Sequence, residues 1–466
     1  MAAFCIFARK MTAEIQSKKL NAIGTDSIPR LILAFSVPAI VSMVVESLYN
    51  VVDRYFVGAG VGYLGIAGIT LCFPISLFIM ALSMIVGVGG NTLFAIRLGQ
   101  KKYGQAGIIL NNSFALLIIM ALISLTLGEI FMEPLLRSFG ASEETLPYAT
   151  TYMRIILFGA VFQTVTPGMN NFIRSMGHPK TAMFRNLIGA GLNTFFDWLF
   201  IMHFKWGIAG AAWATVLAQC VASIFVMQFF VKKSTPIKLS WRLMKLQFPY
   251  VRRIYIMGLP PSVMQICNSL MNVILNRSLA HYGNLSQYSG DMAVSAFGII
   301  NGIAMLMVMP VMGFVQGGQP IIGYNYGAKA YPRVKKTLKY MLYFSIGFMS
   351  AAWLLVQLKA EWLVSFFAAN NAQLIELAGH SMRTFLFGLP MIACGMVCGN
   401  FFQGTGKPAR AMFLNMSRQL IVLIPFLLIL PLFLGLKGVF MAAPISDTIS
   451  ALLAIFLLKP ELKKMR

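Results

Sequence analysis

Acidic side chains are scarce in this chain. Asp and Glu number 14 among 466 residues, against 38 Lys and Arg, and charged residues make up only 11% of the whole. A soluble domain carries about 25% charged residues, so the composition excludes a cytosolic enzyme and a disordered chain. Cysteine is sparse too, with 6 scattered residues, which excludes a disulfide scaffold. Cys394 and Cys398 share a helical face with no other ligand types around them and are expected to pack as small apolar residues. The four histidines, at 178, 203, 281 and 380, form no HExxH pair. Gly404-Thr405-Gly406-Lys407 ends like a phosphate loop, but Pro408 stands where a magnesium-holding hydroxyl belongs. No enzyme, no bound cofactor and no nucleotide site is expected.

Apolar residues fill the space instead, at 58%. They lie in blocks of about 18–25, the length that crosses about 30 Å of hydrocarbon as a helix. Twelve spans are expected, at about 31–56, 65–95, 107–130, 150–172, 181–203, 208–231, 252–280, 292–322, 338–358, 380–402, 411–434 and 438–458. Basic residues alternate between the connecting loops. Arg54, Arg137, Arg154, Lys205, Arg277, Lys359, Arg383 and Lys437 fall on one side, and the other 30 of the 38 on the opposite side. Cytoplasmic loops collect Lys and Arg, so both termini are expected in the cytoplasm. The net charge of +24 is then an orientation signal, and nucleic acid is not an expected partner. Met1–Lys10 has its basic residues after its apolar ones, unlike a signal peptide, and Met11 is an alternative start.

The chain repeats itself at an offset of about 222–229 residues. Ser36-Val37-Pro38 parallels Gly258-Leu259-Pro260. Gly89-Gly90 followed by Arg97-Leu98-Gly99 parallels Gly317-Gly318 followed by Asn325-Tyr326-Gly327. Gly177-His178-Pro179-Lys180 parallels Gly406-Lys407-Pro408-Ala409. Six spans separate the copies, so the halves share one orientation, an arrangement found in transporters. The expected organisation is a tail over 1–30, an N-lobe over 31–231, a basic linker over 232–251, a C-lobe over 252–458 and a tail over 459–466.

An ionisable group at mid-span costs about 2.5–3.5 kcal/mol and marks a pathway or a site. Four acids qualify: Glu46, Asp53, Asp197 and Asp447. On a helix Glu46, Asn50 and Asp53 share a face, as do Asn193 and Asp197. The sixth span adds Thr215, with Gln219 one turn on. Carboxylate, amide and hydroxyl oxygens suit a hard cation such as Na⁺, and the same carboxylates could take up H⁺ instead. Asp447 has no visible partner. Pro38, 15 residues before Asp53, is a candidate hinge. Met264, Asn268 and Asn272 in the seventh span, with Gln163 and Asn170 in the fourth, are candidates for lining a cavity adaptable to varied amphipathic ligands.

Tyr49-Asn50-Val51-Val52-Asp53 with Phe56-Val57-Gly58, then Arg97-Leu98-Gly99, then Gly177-x-Pro179 and Gly406-x-Pro408, resemble the multidrug and toxic compound extrusion (MATE) family. The resemblance covers about 30–458, and within the family the chain looks like the bacterial DinF- and MepA-type branch. It implies an all-α membrane fold of twelve transmembrane helices in two six-helix lobes. It also implies export of organic, often cationic compounds in exchange for Na⁺ or H⁺, by a chain acting as a monomer. Some members are similar in an N-lobe cation site matching Asp53, Asn193, Asp197 and Thr215. Others use acids in the seventh and tenth helices, where this chain has none. A flippase for lipid-linked saccharides, from a related branch of the superfamily, is the alternative.

Overall fold

A computed structural model of the chain describes residues 22–139, 141–231, 237–366 and 372–465. The tail residues 1–21, the alternative start Met11 among them, and 232–236 of the expected linker lie outside the described residues. So does the side chain of Asn50.

Twelve long helical segments follow one another among the described residues, besides short helical pieces at 22–25 and Trp241–Leu243. They are α1 (Ile28–Gly60), α2 (Tyr63–Gly99), α3 (Tyr103–Ser138) and α4 (Leu146–Phe158 and Ala160–Ser175). Next come α5 (Pro179–Asp197, prolonged by a π-helical turn, Trp198–His203), α6 (Gly207–Val231), α7 (Phe248–Asn284) and α8 (Gly290–Gly327). The last four are α9 (Tyr331–Ser365), α10 (Ala372–Phe385 through Leu389–Gly404), α11 (408–434) and α12 (436–464). Gly435, at φ 54 and ψ −138, separates α11 from α12. No L side chain takes that conformation cheaply.

Among the described residues, eight stretches are long and apolar enough to cross a membrane, and one of them, Pro408–Lys464, contains both α11 and α12. The three helices that fall short are α4, α5 and α7. The first is interrupted at Gly159. The other two carry Arg185, Asn193 and Asp197, and Gln265, Asn268 and Asn272. Helix ends run beyond the expected spans. Glu376 enters the first turns of α10 in this way, and it is exposed there.

The repeat is visible in the backbone. Lys101 and Lys329 occupy the left-handed region at φ 59 and 58, and Gly177 and Gly406 do so at φ 85 and 73. Each glycine donates its N–H to the carbonyl three residues back, Gly177 to Arg174 and Gly406 to Gln403. Equivalent sequences build equivalent turns.

Two compact units divide the contacts, Met1–Ser262 with Gly323–Ala330, and Val263–Ile322 with Tyr331–Arg466. The division falls further along α7 than residue 252, between Ser262 and Val263. Packing explains it. A Cβ at Gly258 would lie 1.7 Å from the Ile85 carbonyl oxygen, and one at Gly89 would lie 2.2 Å from that of Ile254. The α2 and α7 backbones therefore touch, and Ser262 Oγ donates to the Ala81 carbonyl at 3.0 Å. The end of α8 follows the same rule: a Cβ at Gly99 would meet the Tyr324 carbonyl oxygen at 1.9 Å, and one at Gly327 that of Ile96 at 2.1 Å. Within the first unit the linker is also anchored. Asn111 and Asn112 of α3, both fully buried, hold the main chain of residues 238–247.

Candidate functional site

Helices α1, α5 and α6 pack mutually, which brings Asp53, Asn193, Asp197 and Thr215 into one place in the first unit. Asp197 is fully buried and Asn193 nearly so. Asn193 Nδ2 donates to Thr215 Oγ1 at 3.3 Å, and Thr215 Oγ1 donates to the Ala211 carbonyl at 3.2 Å. The Asp53 and Asp197 carboxyls lie within hydrogen-bonding reach of each other. Asp53 Oδ1, Asn193 Oδ1 and both Asp197 oxygens are buried with no donor among the described residues, unless one acid is itself protonated. Stranded acceptors of this kind are costly, and two like charges repel by about 4 kcal/mol at about 4 Å and an effective dielectric near 20. A proton between the carboxyls, or a hard cation held by these oxygens, removes both penalties. The donor set fits either.

The surroundings are ordered by helix geometry. Val57, Ile201 and Ala211 each stand one turn from Asp53, Asp197 and Thr215, and with Ile208 they form a buried apolar cluster. All three lie toward the sparsely basic ends of their helices. The π-helical turn begins directly after Asp197. Such turns occur frequently at functional sites.

Glu46 is not brought to this pair. It is solvent-accessible, and its charged neighbours are Arg185 of α5 and Arg174 of α4. Arg185 donates to Gln219 Oε1 at 3.0 Å and to Asn186 Oδ1 at 2.5 Å, and Arg174 is buried. These two arginines are not the solvated loop charges that the alternation of basic residues made of them. Pro38 lies within an unbroken α1, where Ser42 Oγ donates to its carbonyl at 2.8 Å.

Other candidates separate from the site. Asn170 is buried and its Nδ2 donates to the Ala182 carbonyl at 3.2 Å, which ties α4 to α5, while its Oδ1 is buried with no donor among the described residues. Gln163 is half-buried on α4. In the second unit Met264 is half-buried, and Asn268 accepts from Gln419 Nε2 of α11. Asn272 is exposed and donates to the Asn268 carbonyl at 2.8 Å. Asp447, expected to stand alone, has a partner: Arg418 Nε of α11 donates to its Oδ1 at 2.7 Å. They are 29 residues apart in sequence, so no helical spacing connects them. Two tyrosines near the acids were missed. The field of both carboxyls reaches Tyr49, one turn before Asp53, and Tyr152 of α4. Tyr49 at least was legible, since it lies on the Glu46–Asp53 helix.

The MatE family profile matches residues 38–199 and 260–429. Over 447 residues the chain is 26% identical to the "Multidrug export protein MepA" of Staphylococcus saprophyticus, covering 95% of this chain and 96% of that one. A solved structure described as an outward-facing conformation of a multidrug resistance MATE family transporter superposes with a TM-score of 0.89 at 26% identity, covering 96% and 99% of the two chains. A transporter from Pyrococcus furiosus, whose title states that the reverse polarity of its binding pocket suggests a different function, superposes with the same score and identity over 96% and 98%. These relatives are membrane transporters and not enzymes, and the multi-pass helical fold is theirs. The chain belongs to the MATE family.

Proposed function

We propose that the chain is a secondary active multidrug exporter, in which Na⁺ or H⁺ taken up at Asp53 and Asp197 is exchanged for an amphipathic, often cationic compound. One observation carries this: two apposed carboxyls with stranded buried oxygens, on three packed helices of the first unit. The relative named as a multidrug export protein supports the substrate class. Asn193 and Thr215 complete the oxygen set, and no other cofactor is called for. The chain acts as a monomer in the bacterial inner membrane with both termini cytoplasmic, as the basic loops direct.

The ion acts by differential affinity, since a ligand shifts a conformational equilibrium only as far as it distinguishes the two states. Pro38 cannot donate to the Ala34 carbonyl, so α1 is softer there than elsewhere. Relief of the repulsion at Asp53 is transmitted along α1 to that point. One charge crossing about 100 mV supplies about 2.3 kcal/mol, and about 1.4 kcal/mol sustains a tenfold gradient. One net charge per cycle thus holds roughly a 50-fold drug gradient. In vesicles, a fluorescent organic cation should be expelled under an imposed Na⁺ or H⁺ gradient by the wild type and not by Asp53→Asn or Asp197→Asn. Full efflux by both variants overturns the assignment.

A second function is favoured by one feature. Arg174 and Arg185 beside Glu46 give the first unit mixed polarity within its helices, which suits an anionic headgroup such as that of a lipid-linked saccharide. Headgroup translocation in the same vesicles without drug efflux would select this flippase function.

A further inference from the structure

Helix α12 has two unlike faces at about 100° per residue. Ala443, Ser446, Asp447 and Ser450 are buried, with Asp447 against Arg418 of α11. On the opposite face stand Met441, Ile445, Thr448 and Ile449. These form one wall of a crevice of about 550 Å³, closed by Gln357 of α9 and by Arg383, Thr384 and Phe387 of α10. The crevice therefore lies on the face of α12 turned away from the Asp447–Arg418 contact. The same face continues as Leu452 and Phe456, 63% and 73% exposed.

An ion pair stands at the head of this apolar track. Arg383 Nη1 and Nη2 meet Glu361 Oε1 and Oε2 at 2.5 and 2.6 Å, and Nε donates to the Gln357 carbonyl at 3.1 Å. Gln357 Nε2 donates back to the Arg383 carbonyl at 2.9 Å. Three of five guanidinium N–H groups are used and two are free, while the carboxylate keeps unused lone pairs. The two side chains are 30% and 42% exposed. Glu361 lies one turn from the end of α9, on the sparsely basic side.

We propose that this crevice binds a membrane phospholipid whose headgroup carries both a phosphate and a primary ammonium. The phosphate takes the free N–H donors of Arg383, the ammonium meets Glu361, and an acyl chain lies along Ile445, Ile449, Leu452 and Phe456. A purely anionic headgroup meets the Glu361 charge, and a quaternary ammonium has no N–H for it to accept. Assigning the lipid to the outer leaflet rests on the orientation given under Proposed function; binding itself does not.

Native mass spectrometry of the purified full chain, incubated with phosphatidylethanolamine, phosphatidylglycerol or phosphatidylcholine, tests this without any transport readout. Phosphatidylethanolamine should remain bound at about tenfold lower concentration than the other two, the ratio that about 1.4 kcal/mol of charge-assisted hydrogen bonding gives. Arg383→Gln should remove that advantage. Glu361→Gln should turn the preference toward phosphatidylglycerol. Ile449→Trp fills the crevice and leaves the ion pair alone, and it should weaken binding of all three lipids. Equal retention of the lipids by the wild type, or unchanged retention in Ile449→Trp, overturns the proposal. Displacement of the lipid by a fluorescent organic cation also overturns it, by making the crevice a drug site.

Discussion

Substituting Asn112 by Ala should release the 243–247 part of the linker from the first unit. Asn112 Oδ1 accepts from the Gln247 N–H at 2.8 Å, and its Nδ2 donates to the Leu243 and Lys245 carbonyls at 3.2 and 3.4 Å. Two of these bonds have good geometry, and the third is at the limit of range. At about 0.5–1.5 kcal/mol per hydrogen bond, with a buried amide cavity added, the local opening free energy should fall by about 2–4 kcal/mol. Trypsin reads that opening, because Arg242 and Lys245 are exposed side chains on a main chain that must detach before it can be cut. Where opening is fast relative to cleavage, the rate follows the open population, so cleavage should rise roughly 30- to several-hundred-fold. The thermal transition of the whole protein should move far less. Cleavage at the wild-type rate in Asn112→Ala would refute the anchoring role.

Other perturbations follow from the packing. Gly258→Ala sets a Cβ against backbone that cannot move aside, and its folded yield in membranes should collapse, while Gly298→Ala, with nothing within 4 Å, should be indistinguishable from wild type. Arg418→Gln leaves Asp447 buried without its partner and should cost about 3–5 kcal/mol in detergent unfolding; the double variant Arg418→Met with Asp447→Leu should recover most of it. Pro38→Ala should restore the missing helical hydrogen bond of α1 and slow transport without weakening drug binding, measured as turnover against Kd in vesicles.

The spans and the repeat were legible because membrane crossing and internal duplication each impose long-range patterns on composition. Lys101 and Lys329 show how literally a repeat is executed, down to a shared left-handed backbone. The Asn193–Asp197 pair was legible for a local reason, since four residues make one turn. What escaped depends on helix neighbours. Arg418 reads as a loop base until α11 and α12 lie side by side, and Arg174 and Arg185 likewise until folding sets them beside Glu46. The boundary at Ser262 comes from two glycines letting α2 and α7 touch, which no spacing announces. Asn111 and Asn112 look like polar interruptions of an apolar run, and only the folded linker supplies their partners. Asn170 shows that a polar residue in a span can also serve packing, since its Nδ2 ties α4 to α5.

The central claim is that the acids of the first unit couple ion movement to drug movement. Its most direct test is ion counterflux driven by a drug gradient across vesicles holding the purified chain, with Na⁺ and pH followed together and no ion gradient imposed. The wild type should move one of the two ions against the drug. Asp197→Asn should bind drug with unchanged affinity and move neither ion. Counterflux at the wild-type rate in Asp197→Asn would contradict the account.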